Sequence, residues 1–425
     1  MANTWINPDW VSTDVAMFWS NNIKALNLTS MTYGSEWKDK PDGAQIGYSV
    51  QQRIPQRFRV KRGQALQQQP ILNQTVPISL TDQLQVAMGW SSADQAVEVE
   101  EVQERYTEPA GIALSNECDR FFVDSVYKSV YFNIGTPGTP ISSNETWTDG
   151  VAKLRAFGVP EDLLAVVEPR QQSKLQASNL AQFNPQATIS TIFRKGFFGF
   201  GAFGVDEWAW DSNMPAFTTG SFTASTPIVS SAGQSGSTLA LSGLGTYAFV
   251  AGDRFTIDGV YGVNPISYVN TSILQEFVVL SAISGSSTVT LSISPSIIAS
   301  TDSQLQTVNA LPANGAAVSF KGSTGTVGAT MTATTTKINL LANPAAFAFV
   351  SADLPKNLAG AVAGRTPGSK TDRVSIRYVD QYNIRPIRCL GAWIVWSARH
   401  RSCRTSPSWR IRKRSRRTWR LPRLH

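Results

Sequence analysis

The chain has 425 residues and a formal net charge of +8, too long for one ordinary core, so two or three domains are expected. Only 16% of its residues are charged, against 42% hydrophobic, which points away from a highly solvated monomer and towards β-rich structure with broad subunit contacts. Three cysteines without Cys-x-x-Cys spacing exclude a disulfide framework or a cysteine zinc site, and the histidines stand only at His400 and His425, which excludes imidazole triads and histidine metal sites from everything before them.

The positive charge is not spread evenly. Residues 385–425 hold 13 of the 38 Lys and Arg and no Asp or Glu, leaving 25 basic and 30 acidic residues in the first 384. The chain therefore reads as a mildly acidic body joined to a basic segment of different composition. The start, MANTWINPDW, has no basic region followed by an apolar run, so no signal peptide is expected. No apolar run approaches the roughly 18–20 residues of a membrane span, so a soluble protein of a reducing compartment is expected.

In chain order, residues 1–30 read as a polar N-terminal arm with a short amphipathic piece, Val15–Leu26. Residues 31–85 are rich in Gln, Pro and Gly, with alternating runs such as FRVKRG and TVPISL. They predict a long extended hairpin or loop, of a length that suits contact with a neighbouring subunit better than a compact monomer. The run VEVEEVQE, Val97–Glu104, reads as a solvated acidic face. Thr107 followed by Glu108 and Pro109 predicts a helix start with Thr107 as its cap. Leu114, Cys118, Phe122, Val126 and Val130 recur every four residues, so the helix is expected over about 107–133, roughly 40 Å long. Cys118 is expected as a small buried hydrophobe. Asn144, in an Asn-x-Thr site, means little without a secretion signal.

A second helix is expected from about Thr148 to a stop at Gly158, with Pro160 beyond it, then a strand in LLAVV. GFGAFG, Gly199–Gly204, matches a dinucleotide fingerprint in letters only. The sequence after it does not start a helix, and no acid lies about 20 residues on, so a Gly/Phe turn is expected. From Gly220 to Thr336 only Asp253, Arg254, Asp258, Glu276, Asp302 and Lys321 are charged. RFTIDGVYGV, EFVVLSAI and STVTLSIS read as strands, and ISGSSTV as a hairpin. This predicts a separate all-β domain inserted into an α+β body. The body resumes at Ile338. GRTPGSKT, Gly364–Thr371, approaches a phosphate loop but lacks its Gly-Lys-Ser/Thr core, so a loop is expected. In the strand Val374–Ile384, Val374, Ile376 and Tyr378 alternate with Ser375 and Arg377, and the pattern stops at Arg385.

GDRFTIDGVYGVNP (252–265), LQEFVV (274–279), TLSISPSII (290–298), GVDEWAWDSNMPAFTTGSF (204–222), NPAAFAFVSADLP (343–355) and IRYVDQYNI (376–384) together resemble the major capsid, or coat, proteins of tailed phages. The resemblance is to the HK97-like fold, in the podovirus branch that carries an inserted telokin-like I-domain. It covers nearly all of residues 1–384.

The resemblance implies an α+β capsid fold with an N-terminal arm at 1–30 and an extended E-loop at 31–85. A P-domain with its spine helix occupies 86–145 and an A-domain 146–222. The inserted β I-domain follows at 223–337, then return strands of the A- and P-domains at 338–384. It implies identical subunits closing into hexamers and pentamers of an icosahedral shell around double-stranded DNA. Partners would be other copies of the chain, a scaffolding protein, a portal and loosely held packaged DNA, with no membrane. The protein would belong to the virion, assembled in host cytoplasm. No catalytic, cofactor-binding or metal-binding residue is carried over, and no enzyme is implied. Another β-rich phage or surface structural protein is the alternative, and a nucleic-acid binder acting through the basic tail rests on charge alone.

The segment 385–425 departs from the family, whose closing strand continues past this point. Out-of-frame reading of GC-rich DNA yields Arg, Trp, Cys, Pro and Ser. In a shifted frame the codons from Arg385 permit Thr-Asp-Gln-Met-Pro-Trp-Arg-Val-Asp, which continues YNI as an alternating strand. The segment is therefore expected to be a frameshift product, with the closing strand lost and assembly impaired.

Overall fold

The computed structural model describes residues 8–29, 49–61, 63–64, 68–91, 103–179, 200–223, 226–299, 303–322, 330–351, 362–366, 374–384 and 387–400. Helices and strands build three hydrophobic cores, an α+β arrangement.

The first core forms where helix α1 (Pro8–Asn22) meets helix α2 (Glu108–Val126). Val11, Val15 and Trp19 line the buried stripe of α1, and Leu114, Cys118, Phe122 and Val126 that of α2, each at the four-residue spacing of one helix face. The helices touch at Gly111, where a Cβ would stand 2.9 Å from Cβ of Phe18. The segment expected as a polar arm is thus core material along α1 and the short 3-10 turn Ala25–Leu28 that follows.

An antiparallel sheet lies against these helices in the order β1-β2-β20-β19-β18: β1 (Ser49–Arg53), β2 (Thr75–Ser91), β18 (Val362–Thr366), β19 (Ile376–Ile384) and β20 (Ile387–His400). β1 and β2 form the expected long hairpin, with Ser49 opposite Ser79 and Arg53 opposite Thr75. In β2, Leu84, Val86 and Met88 pack on the helices while Gln83 and Gln85 face solvent, the period-two pattern of a half-buried strand.

Two expectations are corrected here. The strand pattern does not stop at Arg385: β20 lies between β2 and β19, pairing Ser91–Ile78 with Arg388–His400 on one side and Ile376–Ile384 with Val395–Ile387 on the other. Ile387, Leu390, Ile394 and Val395 carry enough strand propensity for the backbone ladder whatever frame produced them. The closing strand is therefore replaced rather than lost. The alternation in Val374–Tyr378 also fails to give one wet face. Ser375 and Arg377 are buried as well, and the Ser375 N–H donates to Oγ of Ser351.

The second core lies under helix α3 (Asn144–Ala156), helix α4 (Pro169–Asn179) and a sheet in the order β17-β3-β5-β4. Its strands are β3 (Leu164–Val167), β4 (Phe200–Ala202), β5 (Val205–Trp210) and β17 (Leu340–Ala342). α3 stops as expected before Gly158, whose φ is +78°, and it begins four residues before Thr148. Trp147 and Trp208 meet at 4.9 Å between ring centroids in this core.

The third core belongs to the β-rich segment. β6 (Ala216–Thr218) leads into it, β16 (Thr335–Lys337) leads out, and the two pair with Thr335 opposite Thr218. The chain thus leaves and rejoins the body through one two-stranded stalk. Inside are two sheets, β15-β11-β12-β14-β9-β8 and β13-β10-β7, with Phe222, Phe249, Phe255, Phe277 and Phe320 at their centre. β11 (Arg254–Val263), β12 (Asn270–Val279) and β14 (Val289–Ile297) match the expected strands. ISGSSTV is not a hairpin. β13 (Ile283–Ser286) pairs with β10 (Thr246–Phe249), whereas β14 pairs with β9 (Gly236–Ser242) and β12. The chain turns at Ser287, φ +71°, and crosses from one sheet to the other. The remaining strands are β7 (Ser221–Phe222), β8 (Ile228–Val229) and β15 (Val318–Phe320).

Candidate functional site at the helix–insertion junction

The long helix was expected to run to about Asn133, and it ends at Val126. The cause lies 128 residues further on. Arg254, at the start of β11, donates from Nε to the Val130 carbonyl at 2.9 Å and from Nη2 to the Tyr127 carbonyl at 2.9 Å. A helix continuing to Asn133 would use the Tyr127 carbonyl for the Tyr131 N–H, and would leave that of Val130 among its unpaired last four. A guanidinium spanning them, at the negative end of the helix dipole, supplies the alternative. Burial lowers the pKa of Arg254, and the charges of Glu276 and Asp253 oppose that shift.

Glu276, on β12, is the second part of the junction, and its side chain is 3% exposed. Its Oε2 accepts from Nζ of Lys153 on α3 at 2.5 Å and from the Asn133 N–H at 2.8 Å, and Nζ of Lys321 stands 3.4 Å from Oε1. Burial lowers the Lys153 pKa, against the opposing pull of Glu276. A buried carboxylate with donors on both oxygens is a structural ion cluster, and it leaves no free base. Asp253 completes the group. It accepts N–H donation from Val250 at 2.8 Å and Gly220 at 2.9 Å, and burial raises its pKa against those two bonds. Only glycine fits at 220, because a Cβ would lie 2.5 Å from the Ala248 carbonyl oxygen and 2.9 Å from Cα of Phe249.

Aromatic packing backs the charges. Tyr127 meets Phe217 of the stalk edge-on at 5.4 Å, and Phe132 meets Phe157 at 4.7 Å with Lys153 over its ring at 5.3 Å. A cleft of about 750 Å³ runs beside this seam, with Phe122, Tyr131, Pro137 and Phe347 in its walls. The junction fixes the angle between the β-rich insertion and the helix through groups that are all engaged.

The sequence motifs fall elsewhere. GFGAFG turns β4 into β5 through Phe203 (φ +56°) and Gly204 (φ +76°), a two-residue turn of the type that joins antiparallel strands. Of GRTPGSKT, Gly364–Thr366 lie on β18 and the remainder is outside the described residues. VEVEEVQE is outside them up to Gln103, where a single π turn, Gln103–Thr107, leads into α2. Thr107 does not cap α2. Its own backbone is helical, and its hydroxyl donates to Oδ2 of Asp14 on α1 at 2.7 Å. Asn144 begins α3. Cys118 is fully buried, and burial pushes its thiol up to about 12, so it stays protonated and inert. Among the described residues no helix is long and apolar enough to cross a membrane. Sequence reasoning missed the junction, although Arg254 and Glu276 stood out as charges in a nearly uncharged stretch.

No protein-family model matches the chain, and no curated protein does. Solved structures do. A chain from Mycobacterium phage Che8 is similar over 89% of this chain and 87% of that one, with a TM-score of 0.40 and 11% identity. The capsid structure of the cyanophage P-SCSP1u aligns over 84% of this chain and 81% of its own, with a TM-score of 0.32 and 10% identity. The CUS-3 coat protein I-domain aligns over 96% of its length and 23% of this chain, with a TM-score of 0.19 and 28% identity.

Proposed function

We propose that this chain is the major capsid protein of a tailed double-stranded DNA phage, non-enzymatic, closing with its own copies into hexamers and pentamers of an icosahedral shell. The fold in this reading is HK97-like, of the podovirus branch. The segment between β6 and β16 is the telokin-like inserted domain, and residues 31–85 are the extended loop. Scaffolding protein, portal and loosely held DNA are its further partners, and the host cytoplasm is its place of assembly. The acidic body suits transient contact with DNA, since like charge avoids trapping it.

The observation that carries self-association is the exposed apolar surface of the hairpin. Arg59 and Gln69 are half-buried against the chain, while Phe58, Val60 and Ile71 are 62%, 90% and 71% exposed. Large apolar side chains left uncovered on an extended limb favour cover by a second copy. Replacing Phe58, Val60 and Ile71 together by Ser is expected to leave monomer unfolding unchanged and to abolish large species in sedimentation velocity, since each covered side chain contributes roughly 1.5–3 kcal/mol. Unaltered assembly of the triple variant would count against this role.

Residues 385–425 remain, in this reading, the product of a shifted frame, supported by the abrupt change of charge at Arg385 and by the strand-like sequence in the other frame. Resequencing the codons around Ile384 tests it, and an unbroken read through Arg385–Arg388 would sink it.

A further inference from the structure

We infer that the face of the β-rich insertion formed by Tyr268, Gln304 and Gln306 is a receptor for the hairpin limbs 56–61 and 68–72 of the same chain, with Arg59 as the anchor. Arg59 donates from Nη1 to Oε1 of Gln306 at 3.1 Å, and its guanidinium lies 4.7 Å from the centroid of the Tyr268 ring. Ten residues on, Gln69 accepts at Oε1 from Nε2 of Gln304 at 2.9 Å. With the limb in place Gln304 and Gln306 are buried, and Arg59 and Gln69 are among their hydrogen-bond partners.

The face is held by contacts within the insertion and to the body. Tyr268 has φ +57°, in the left-handed region, a conformation a tyrosine holds only when its surroundings impose it. Its N–H donates to the Asn264 carbonyl at 2.8 Å, and its hydroxyl donates to the Gln304 carbonyl at 2.8 Å. Nδ2 of Asn264 in turn donates to the Ala156 carbonyl at the end of α3, at 2.7 Å. The loop is thus tied to the body on one side and to the hairpin on the other.

The limb is shaped to match. Beyond the β1–β2 ladder, glutamine amides replace the backbone pairs. The Gln56 amide donates to the Leu72 carbonyl and accepts the Leu72 N–H, and the Gln69 amide does the same for Arg59. Each amide has one donor and one acceptor in the geometry of a peptide group, so the limbs hold a fixed spacing without a regular strand. This gives Gln56 and Gln69 a structural role and sets Arg59 and Gln69 on one side. The insertion is thereby a brace that fixes the direction of the hairpin.

The test is hydrogen exchange on the full 425-residue chain, read at the amides of residues 59 and 72. Arg59→Ala is expected to raise exchange there roughly 10–100-fold, the combined loss of a charged hydrogen bond and a cation–π contact. Arg59→Glu acts similarly, and Arg59→Glu with Gln306→Arg restores slow exchange. Protection that does not vary with protein concentration assigns the limb to its own insertion. The inference is overturned by unchanged exchange in the single variants, by a swap that fails to restore protection, or by protection that disappears on dilution.

Discussion

Glu276→Ala is expected to lower the stability of the chain by about 3–5 kcal/mol, the cost of removing one partner from a buried ion cluster. The substitution strands Lys153, whose side chain is 15% exposed, and leaves the Asn133 N–H without its acceptor. It also removes the negative charge that helps keep Arg254 protonated at the helix end. The loss should therefore spread from β12 to the carbonyls of Tyr127 and Val130. Thermal unfolding followed by tryptophan fluorescence measures the total, and hydrogen exchange over 127–133 measures the spread. Glu276→Gln is expected to be milder, since it keeps the volume and one acceptor. A loss below about 1 kcal/mol for the alanine variant would mean that packing at Tyr127 and Phe132, and not charge, docks the insertion.

The second large effect concerns pH. Asp119 on α2 accepts the N–H groups of Lys24 and Leu26 at 2.8 and 3.0 Å, and so pins the turn after α1 to the long helix. Burial raises its carboxyl from 3.8 to about 6, against the opposing effect of those two bonds. A carboxyl whose folded pKa is raised contributes stability that is fully present below the unfolded value, near 4. That contribution is lost as pH rises through about 6, to a total of about 3 kcal/mol. Asp119→Asn abolishes the titration. The variant is therefore expected to gain on the parent by up to about 3 kcal/mol between pH 4 and pH 7, measured as the difference in denaturant midpoints at each pH. Parallel stability–pH curves for the two proteins would contradict the assignment.

Local periodicity revealed the elements whose neighbours are close in sequence or whose pattern is strong. The stripe Leu114–Cys118–Phe122–Val126 located α2, Gly158 located the end of α3, and RFTIDGVYGV coincided with β11. What it missed was decided at a distance. The stripe continues through Val130, yet the chain leaves the helix at Val126, and Arg254 binds the carbonyls of Tyr127 and Val130 beyond it. Thr107 looks like a cap by position, and Asp14 takes its hydroxyl instead. ISGSSTV has the composition of a hairpin turn, but β13 and β14 find partners in different sheets. β20 shows the same limit from another side. The slot between β2 and β19 imposes a strand on a segment whose charge pattern argued against one. At the junction, Arg254 and Glu276 were conspicuous for being charged, while Tyr127, Val130, Asn133 and Lys153 carried no mark that would join them. Their association depends on where the β6–β16 stalk returns the chain.

The hairpin and the junction give the insertion two attachments, one to the helix end and one to the extended limb. In the proposed capsid role, a limb held in a set direction would let every copy present the same apolar surface at the same angle.

The most direct test of the proposed shell-forming role is electron microscopy of the expressed protein, comparing the 425-residue chain with one whose codons after Ile384 are read in the shifted frame. Closed, uniform shells from the frame-shifted chain are expected, with fewer or irregular particles from the 425-residue chain. Monodisperse monomers from both at high concentration would contradict the account.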